Sequence, residues 1–201
     1  MSYQEEGQIK IHTENIFPII KKAVYSDHEI FIRELISNSV DAISKRRMAS
    51  LAGDCIEGPE GRINITINRE SNSITISDNG IGMSKDEVKK YINQVAFSSA
   101  EEFLEKYKND QEQIIGHFGL GFYSSFMVAK NVELTTLSAQ KESTGVKWTC
   151  DGSPNFSLED NEQKEVGTNV KLFLSDDELE FIEPSRIKSL IKKYCDFMPV
   201  E

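Results

Sequence analysis

Residues 33–42 read RELISNSVDA, and this short segment places Glu34, Asn38 and Asp41 at spacings of four and three. At about 100° per residue, three such side chains fall within roughly 60° of one another on one stripe of a helix. Apolar residues flank the stripe, which distinguishes it from an ordinary charged outer face. Two carboxylates and an amide beside core residues are costly to desolvate unless a partner pairs with them. The segment therefore indicates either a solvated helix edge or one wall of a cavity that holds a cation, a ligand or water.

The composition fits one large domain with a hydrophobic core. The chain has 201 residues, of which 38% are hydrophobic and 28% charged, and these are ordinary proportions for a soluble protein. The net charge of −10 argues against a protein that binds the phosphate backbone of nucleic acids. No apolar run approaches the ~20 residues needed to span a bilayer, and the acidic start MSYQEE is not a secretory signal.

The number and spacing of the cysteines indicate the redox environment of the protein. The three cysteines and three histidines are scattered, with no Cys-x-x-Cys and no metal-ligand spacing. An odd and sparse set of cysteines favours a reducing cytoplasm and argues against a disulfide framework or a zinc site. We therefore expect a cytoplasmic protein with no nucleic-acid or membrane partner.

Hydrophobic periodicity predicts helices early in the chain and strands later. We predict helices at 14–25, 29–51, 86–95, 102–107 and from Pro184 onward, and strands at 62–68, 73–77, 132–138, 146–150 and 169–174. Asp27 is the predicted cap of the helix at 29–51, and Ile63, Ile65 and Ile67 are predicted to face the core. The order indicates an α/β class with a mixed, largely antiparallel sheet. Because the chain ends at Glu201 directly after a helix, we expect a fragment of a longer protein.

The segment DNGIGM, residues 78–83, places a carboxylate at the end of a predicted strand and two glycines after it. The glycines let the backbone turn tightly or let a ligand approach closely. An ionised carboxylate only accepts hydrogen bonds, so Asp78 suits the exocyclic amine of adenine. Guanine offers a carbonyl oxygen at that edge, and such a site would reject it. The alternative is a simple Asx turn, since Asn-Gly is a common turn dipeptide.

The segment GHFGLGF, residues 116–122, runs straight into the apolar stretch 123–129. Glycines just before a helix leave backbone N–H groups that converge on an anion, and the helix dipole adds to the attraction. This is not a Walker loop, because the chain contains no Gly-Lys dipeptide, and its glycine spacing is the reverse of the dinucleotide fingerprint. A flexible hinge is the alternative interpretation.

Taken in order, these segments resemble one ATPase superfamily. A helix with Glu, Asn and Asp, then Asp-x-Gly-x-Gly, then Gly-x-x-Gly-x-Gly, then a Gly-Thr pair at 167–168 is similar to the gyrase, heat-shock, histidine-kinase and mismatch-repair ATPases. The fuller matches YSDHEIFIRELISN at 25–38, DNGIGM at 78–83 and FGLGFYS at 118–124 resemble the N-terminal domain of the ninety-kilodalton heat-shock chaperones in their bacterial form. The resemblance covers nearly the whole chain, including LFLSDDELE at 172–180.

The resemblance implies a two-layer sandwich, with helices over one face of an eight-stranded, mixed, mainly antiparallel sheet. It implies a single nucleotide-binding domain over 1–201, with a pocket in the helical layer and a mobile lid at about 95–121. Asp78 would hold the adenine amine, directly or through water, with Gly82 and Thr168 in support, while Met83 would pack against the base.

The same resemblance implies a phosphate end of the pocket. Asn38 would help to hold the Mg²⁺ that bridges the phosphates, since this hard cation prefers oxygen ligands. Glu34 would be the general base that orients the attacking water. The backbone N–H groups facing the phosphates would come from Gly119, Leu120, Gly121 and Phe122. Asp41 and Lys45 would line the mouth, and further pocket residues would be Ile92, Ser98 and Ser99.

Two positions depart from the family pattern. Tyr91 stands where the family often has an asparagine near the ribose, and Phe97 stands where it often has a lysine near the phosphates. Loss of that lysine removes one phosphate contact, and Ser99 stands where the family often has a glycine, which stiffens the start of the lid. Nucleotide affinity and lid closure are therefore expected to differ from the family norm.

The leading hypothesis is an ATPase domain of a molecular chaperone that couples a nucleotide cycle of ATP, ADP and Mg²⁺ to client folding. Turnover is expected to be weak in isolation, because the family completes the site with a cationic residue of the next domain. Client proteins, co-chaperones and a homodimer formed through regions outside this sequence are the expected partners. The alternatives are a topoisomerase or mismatch-repair ATPase domain, and a non-catalytic interaction module on the same fold.

Overall fold

The computed structural model describes residues 27–93 and 120–200. The predicted helices at 14–25 and 102–107 lie outside this part of the chain, as does nearly all of the predicted lid. Five residues named above also lie outside it: Phe97, Ser98, Ser99, Gly119 and Glu201.

Helix α1, Ile30–Leu51, carries the RELISNSVDA segment and confirms the predicted helix. The carboxylate of Asp27 accepts the N–H of Glu29 at 3.0 Å, close to its predicted capping role. The N-cap residue itself, Glu29, makes no side-chain capping bond. The helix ends as the chain reaches Gly53, which has a φ of +78° that disfavours further helix.

Six strands of the described residues form one sheet in the spatial order β1-β2-β6-β3-β4-β5. The strands are β1 Ile63–Asn68, β2 Ser73–Asp78, β3 Ala129–Leu137, β4 Gly145–Cys150, β5 Ser157–Asn161 and β6 Gly167–Leu174. All five pairings are antiparallel, which agrees with a mainly antiparallel sheet. The described residues give six strands and no parallel pair, where the prediction was an eight-stranded, mixed sheet. Strand β5 was not predicted, because SLEDN shows no apolar alternation and lies at the sheet edge.

One face of the sheet is apolar and packs against the helices. Ile74 and Ile76 of β2 share a buried cluster with Phe31, Ile32 and Leu35 of α1. The neighbouring strands add further members to this cluster: Val132, Leu134, Val146, Trp148, Val170, Leu172 and Leu174. Strand β1 completes the face, because its three isoleucines are half-buried against the cluster as predicted. The structure is thus the predicted two-layer sandwich.

The remaining helices are short apart from the last. Helix α2, Lys85–Tyr91, is capped reciprocally by Ser84 and Glu87. A 3₁₀ helix at Gly121–Ser124 leads directly into helix α3, Ser125–Val128, and β3 begins at the next residue. Strand β3 therefore begins three residues earlier than predicted. A second 3₁₀ helix, Asp176–Ile182, precedes helix α4, Pro184–Cys195.

Helix α4 holds the start of α1 through an ion-pair cluster around Glu29. The Glu29 carboxylate accepts bonds from Arg186, from Lys193 at 2.7 Å and from the Tyr194 hydroxyl at 3.2 Å. The bonds to Lys193 and Arg186 lower the pKa of Glu29 to about 2. The first turn of α1 is thereby fixed against the C-terminal helix.

Candidate functional site

The three residues of the polar stripe of α1 differ in solvent exposure. Asn38 is exposed, the Glu34 side chain is 22% exposed, and Asp41 is only 6% exposed. Burial lowers the pKa of Lys45, while the charges of Asp41 and Glu87 oppose that shift. The Lys45 amine is therefore balanced by two carboxylates, one on α1 and one on α2.

Gly121 of the glycine segment lies directly against Glu34 and Asn38 of the stripe. A Cβ atom at Gly121 would lie 2.9 Å from Oε2 of Glu34 and 3.5 Å from both side-chain polar atoms of Asn38. The other carboxylate oxygen of Glu34 accepts a bond of 2.5 Å from Arg33. Glu34 therefore has one oxygen fixed by a neighbouring cation and the other directed at the backbone of Gly121.

Leu120 and Phe122 flank that glycine in different environments. Leu120 is half-buried, and its carbonyl accepts the N–H of Tyr123 at 3.0 Å. The Phe122 ring is buried and packs edge-to-face against Trp148, with ring centroids 5.5 Å apart. Any contact of these two residues with an anion above Gly121 would therefore come from their backbone.

Asp78 ends strand β2 and pairs in register with Thr168 of β6. Its Oδ1 accepts the N–H of Gly80 at 2.9 Å. Burial raises the pKa of Asp78 to about 6, although bonds from the Gly80 N–H, the Ser39 side chain and the Thr168 N–H favour the ionised form. The carboxylate is thus a half-buried acceptor held by three different segments.

Two glycines around Asp78 are required by close backbone contact. Gly82 has a φ of +63°, and a Cβ there would lie 1.9 Å from the carbonyl oxygen of Leu137. Gly167 has a φ of +135°, and its Cβ would lie 2.1 Å from the carbonyl oxygen of Asp78. Side chains at these positions would be strained and would displace backbone, so the DNGIGM turn and the start of β6 are fixed together.

Thr136 of β3 joins the predicted residues Met83 and Thr168, and sequence reasoning missed it. Its fully buried hydroxyl accepts the N–H of Met83 at 2.9 Å, lies 3.0 Å from the Thr168 hydroxyl and donates to the Gly167 carbonyl at 3.1 Å. Ser39, which bonds Asp78, was missed as well, although it stands beside Asn38 in the RELISNSVDA segment. The signal for Thr136 is its register opposite Thr168, which requires the sheet pairing.

The predicted pocket residue Ile92 is part of the hydrophobic core. It is 7% exposed, belongs to the hydrophobic cluster, and its carbonyl accepts the Tyr123 hydroxyl. Its predicted contact with nucleotide stays a prediction. Tyr91, one of the two residues that depart from the family pattern, is half-buried and has the Lys90 amine 5.4 Å from its ring centroid.

Residues 27–93 and 120–200 contain no helix that is long and apolar enough to cross a membrane. Within the same ranges no three His, Cys, Asp or Glu side chains are grouped so that they could hold a metal ion.

Comparisons with known proteins agree with the geometry. The sequence profile of the family described as "Histidine kinase-, DNA gyrase B-, and HSP90-like ATPase" matches residues 25–171. The chain is 55% identical over 197 residues to the chaperone protein HtpG of Bacteroides fragilis strain 638R, covering 98% of this chain and 29% of that relative. It is 48% identical over 198 residues to HtpG of Porphyromonas gingivalis strain W83, with the same two coverages.

A more distant relative extends the match. HtpG of Shewanella amazonensis is 39% identical over 209 residues, which cover 100% of this chain and 33% of that protein. The chain therefore spans about a third or less of the curated relatives it matches. It belongs to the histidine kinase-, DNA gyrase B- and HSP90-like ATPase family, and it carries the ATPase domain of that family.

Proposed function

We propose that this domain binds ATP and ADP with Mg²⁺ along helix α1 and hydrolyses ATP for a chaperone cycle that acts on client proteins. The observation that carries the proposal is that α1 has an acceptor for adenine near its middle and a glycine-faced carboxylate nearer its N-terminus. The acceptor is Asp78, which is bonded to Ser39. The carboxylate is Glu34, which lies beside Gly121.

Asp78 is proposed to accept a hydrogen bond from the exocyclic amine of adenine. With a pKa of about 6 it is ionised at neutral pH and offers only acceptors. Guanine would present a carbonyl oxygen to the same carboxylate, and two acceptors repel each other. Thr168 and Gly82 support the site by fixing the backbone on either side, and Met83 is proposed to lie against the base.

The phosphates are proposed to lie over the 3₁₀ helix that begins at Gly121. The N–H groups of Leu120, Gly121 and Phe122, together with Gly119 outside the described residues, would face them. The lack of room for a Cβ at Gly121 supports close approach of the backbone to the polar stripe. Asp41 and Lys45 line the mouth in this proposal, which the charge balance around Lys45 supports.

The residues at this end fit a magnesium ion. Asn38 is exposed, has an amide oxygen that a hard cation prefers, and lies beside Gly121 where phosphate oxygens would supply further ligands. When bound, the ion would neutralise phosphate charge. The protein contribution proposed here is therefore one amide oxygen.

Glu34 is proposed as the general base for the attacking water. Its Oε1 is fixed by Arg33, and its Oε2 is directed toward Gly121. A carboxylate held in this way can accept a proton from a water between it and the phosphate without changing its own position.

We also propose the partners and the cellular location of the domain. The HtpG relatives are chaperones by name, and we infer client proteins, possible co-chaperones and a homodimer of the whole protein from that relation. A cytoplasmic location agrees with the scattered cysteines. Turnover by the isolated domain is expected to be weak.

Calorimetric titration of the domain with ADP and Mg²⁺ tests the proposal. Saturable binding of ADP with rejection of GDP is the expected result. Equal binding of both nucleotides would contradict the assignment of Asp78. No binding of either would favour a non-catalytic interaction module on the same fold.

A further inference from the structure

A second stripe of α1, formed by Ser39, Ala42 and Arg46, holds the DNGIGM turn. The spacings of three and four place these residues on one line of the helix, roughly 100° around from Asn38, Asp41 and Lys45. All three contact the turn. The Ser39 side chain bonds Asp78, the Ala42 carbonyl accepts the N–H of Ile81 at 2.9 Å, and Arg46 donates to the Asn79 carbonyl at 2.7 Å.

The contact of Arg46 acts on the same peptide group that holds Asp78. Arg46 binds the carbonyl oxygen of Asn79, while the N–H of that peptide belongs to Gly80 and donates to Oδ1 of Asp78. A trans peptide is planar, with its C=O and N–H pointing in opposite directions. Fixing the oxygen on one side therefore fixes the direction of the N–H on the other, and with it the position of the carboxylate.

The side chain of Asn79 holds the same turn against the preceding loop. Its Nδ2 donates to the Glu60 carbonyl at 2.8 Å, and its Oδ1 accepts the N–H of Arg62 at 2.8 Å. Gly58 of that loop covers the guanidinium, since a Cβ there would lie 2.4 Å from Cζ of Arg46. Arg46 is thus enclosed between the loop and the turn.

Burial of Arg46 is costly for a purely structural residue. It is 8% exposed, and its Nε has no hydrogen-bond partner among residues 27–93 and 120–200. An incompletely paired buried guanidinium contributes less to stability than an apolar side chain of similar volume would. Arg46 directs a bond of 2.7 Å to the Asn79–Gly80 peptide beside Asp78.

We propose that Arg46 is a positioning residue that orients the Asp78 carboxylate through the Asn79–Gly80 peptide and thereby sharpens the preference for adenine over guanine. The identity of the ligand rests on the proposed function. The orientation of the Asp78 carboxylate by Arg46 does not require a bound nucleotide. Residues 58–62 and Asn79 complete the arrangement by holding the guanidinium and the turn in place.

The experiment compares Arg46→Met with Arg47→Met, a matched variant of the exposed neighbouring arginine. Calorimetry measures ADP and GDP binding, and carbon-detected NMR measures the pKa of Asp78 without nucleotide. We expect Arg46→Met to bind ADP about tenfold more weakly, to discriminate less against GDP and to raise the pKa of Asp78. Arg47→Met should match the parent in all three measurements.

Gly58→Ala is the second variant, because it displaces the guanidinium without removing its charge. It should shift affinity and the pKa of Asp78 in the same direction by a smaller amount, and it replaces Arg46→Met if that variant does not fold. Weaker ADP binding with an unchanged pKa of Asp78 would make Arg46 a structural residue and overturn the proposal. A parent that binds no ADP would refute the nucleotide site instead, while the pKa comparison would still test Arg46.

Discussion

The Asp78 end and the Gly121 end of the proposed pocket are lined by different kinds of groups. Around Asp78 the neighbours are backbone atoms and buried hydroxyls, and the side chains of Ser39, Thr136 and Thr168 are all less than 9% exposed. Around Gly121 the neighbours are the tips of Glu34 and of the exposed Asn38. Backbone contacts cannot adjust without moving a strand, whereas an exposed amide such as that of Asn38 changes rotamer easily. The difference suits recognition of a fixed base at one end and a changing phosphate group at the other.

The largest expected effect is the loss of ATP hydrolysis in Glu34→Ala, at the Gly121 end of the proposed pocket. Hydrolysis should fall about 10²–10⁴-fold, the usual contribution of a positioned base, while ADP affinity stays near the parent value because binding depends on Asp78 and the glycine segment. Phosphate release should be measured in the longer protein that includes the next domain.

Glu70→Ala is the matched control for that variant, since Glu70 is exposed in the turn between β1 and β2. Equal losses of ATP binding and hydrolysis in Glu34→Ala would make Glu34 a binding residue and remove the distinction between the two ends.

At the rigid end, Asp78→Asn should abolish useful ADP binding with the fold retained. The amide turns a donor toward the base or toward the N–H of Gly80, and a mispaired buried group costs roughly 1–3 kcal/mol or more. The affinity loss is therefore about 10- to 100-fold. Calorimetry measures it, with circular dichroism as the test of folding and Asp196→Asn as an exposed control. ADP binding as tight as that of the parent would refute the adenine assignment.

Binding of the adenine base at the Asp78 end should depend on pH, and this dependence should be absent at the Gly121 end. The pKa of Asp78 is raised to about 6 by burial, so the acceptor is present above that pH and is lost as pH falls below it. Affinity for adenosine, which carries no titrating phosphate, should be about tenfold lower at pH 5 than at pH 8. An adenosine affinity that is constant over this pH range would mean that the adenine does not bind at Asp78.

The smallest expected effect concerns Glu29, which anchors the start of α1 five residues before Glu34. Because its pKa is lowered to about 2, its contribution to stability is present above about pH 4.5 and is lost as pH falls toward 2. Glu29→Gln should lower the free energy of unfolding at pH 7 by about 1 kcal/mol or less, since the cluster is partly exposed.

Urea titration measures that loss for Glu29. Glu183→Gln, which breaks an exposed pair with Arg69, is the comparison and should change nothing measurable. An unfolding free energy that differs between parent and Glu29→Gln at pH 2 as much as at pH 7 would contradict the assigned ion pairs.

Local patterns predicted the elements that carry the site. Helical spacing in RELISNSVDA predicted α1 and its polar stripe, and strict alternation predicted β1 with its three inward isoleucines. The family resemblance predicted the two-layer sandwich and the ATPase function. Strand β5 was missed because an edge strand needs no apolar alternation.

By itself, the sequence determined what lies within one helix or one hairpin, because helix and strand periodicity act between residues near in the chain. Only the tertiary structure decided that Thr136 joins Met83 to Thr168, since that contact depends on the β3–β6 register. It also decided that Arg46 reaches Asn79, 33 positions away. A buried arginine or threonine has no sequence signature of its own. Its partner is set by the packing of α1 on the sheet, which depends on the summed burial of the whole apolar cluster.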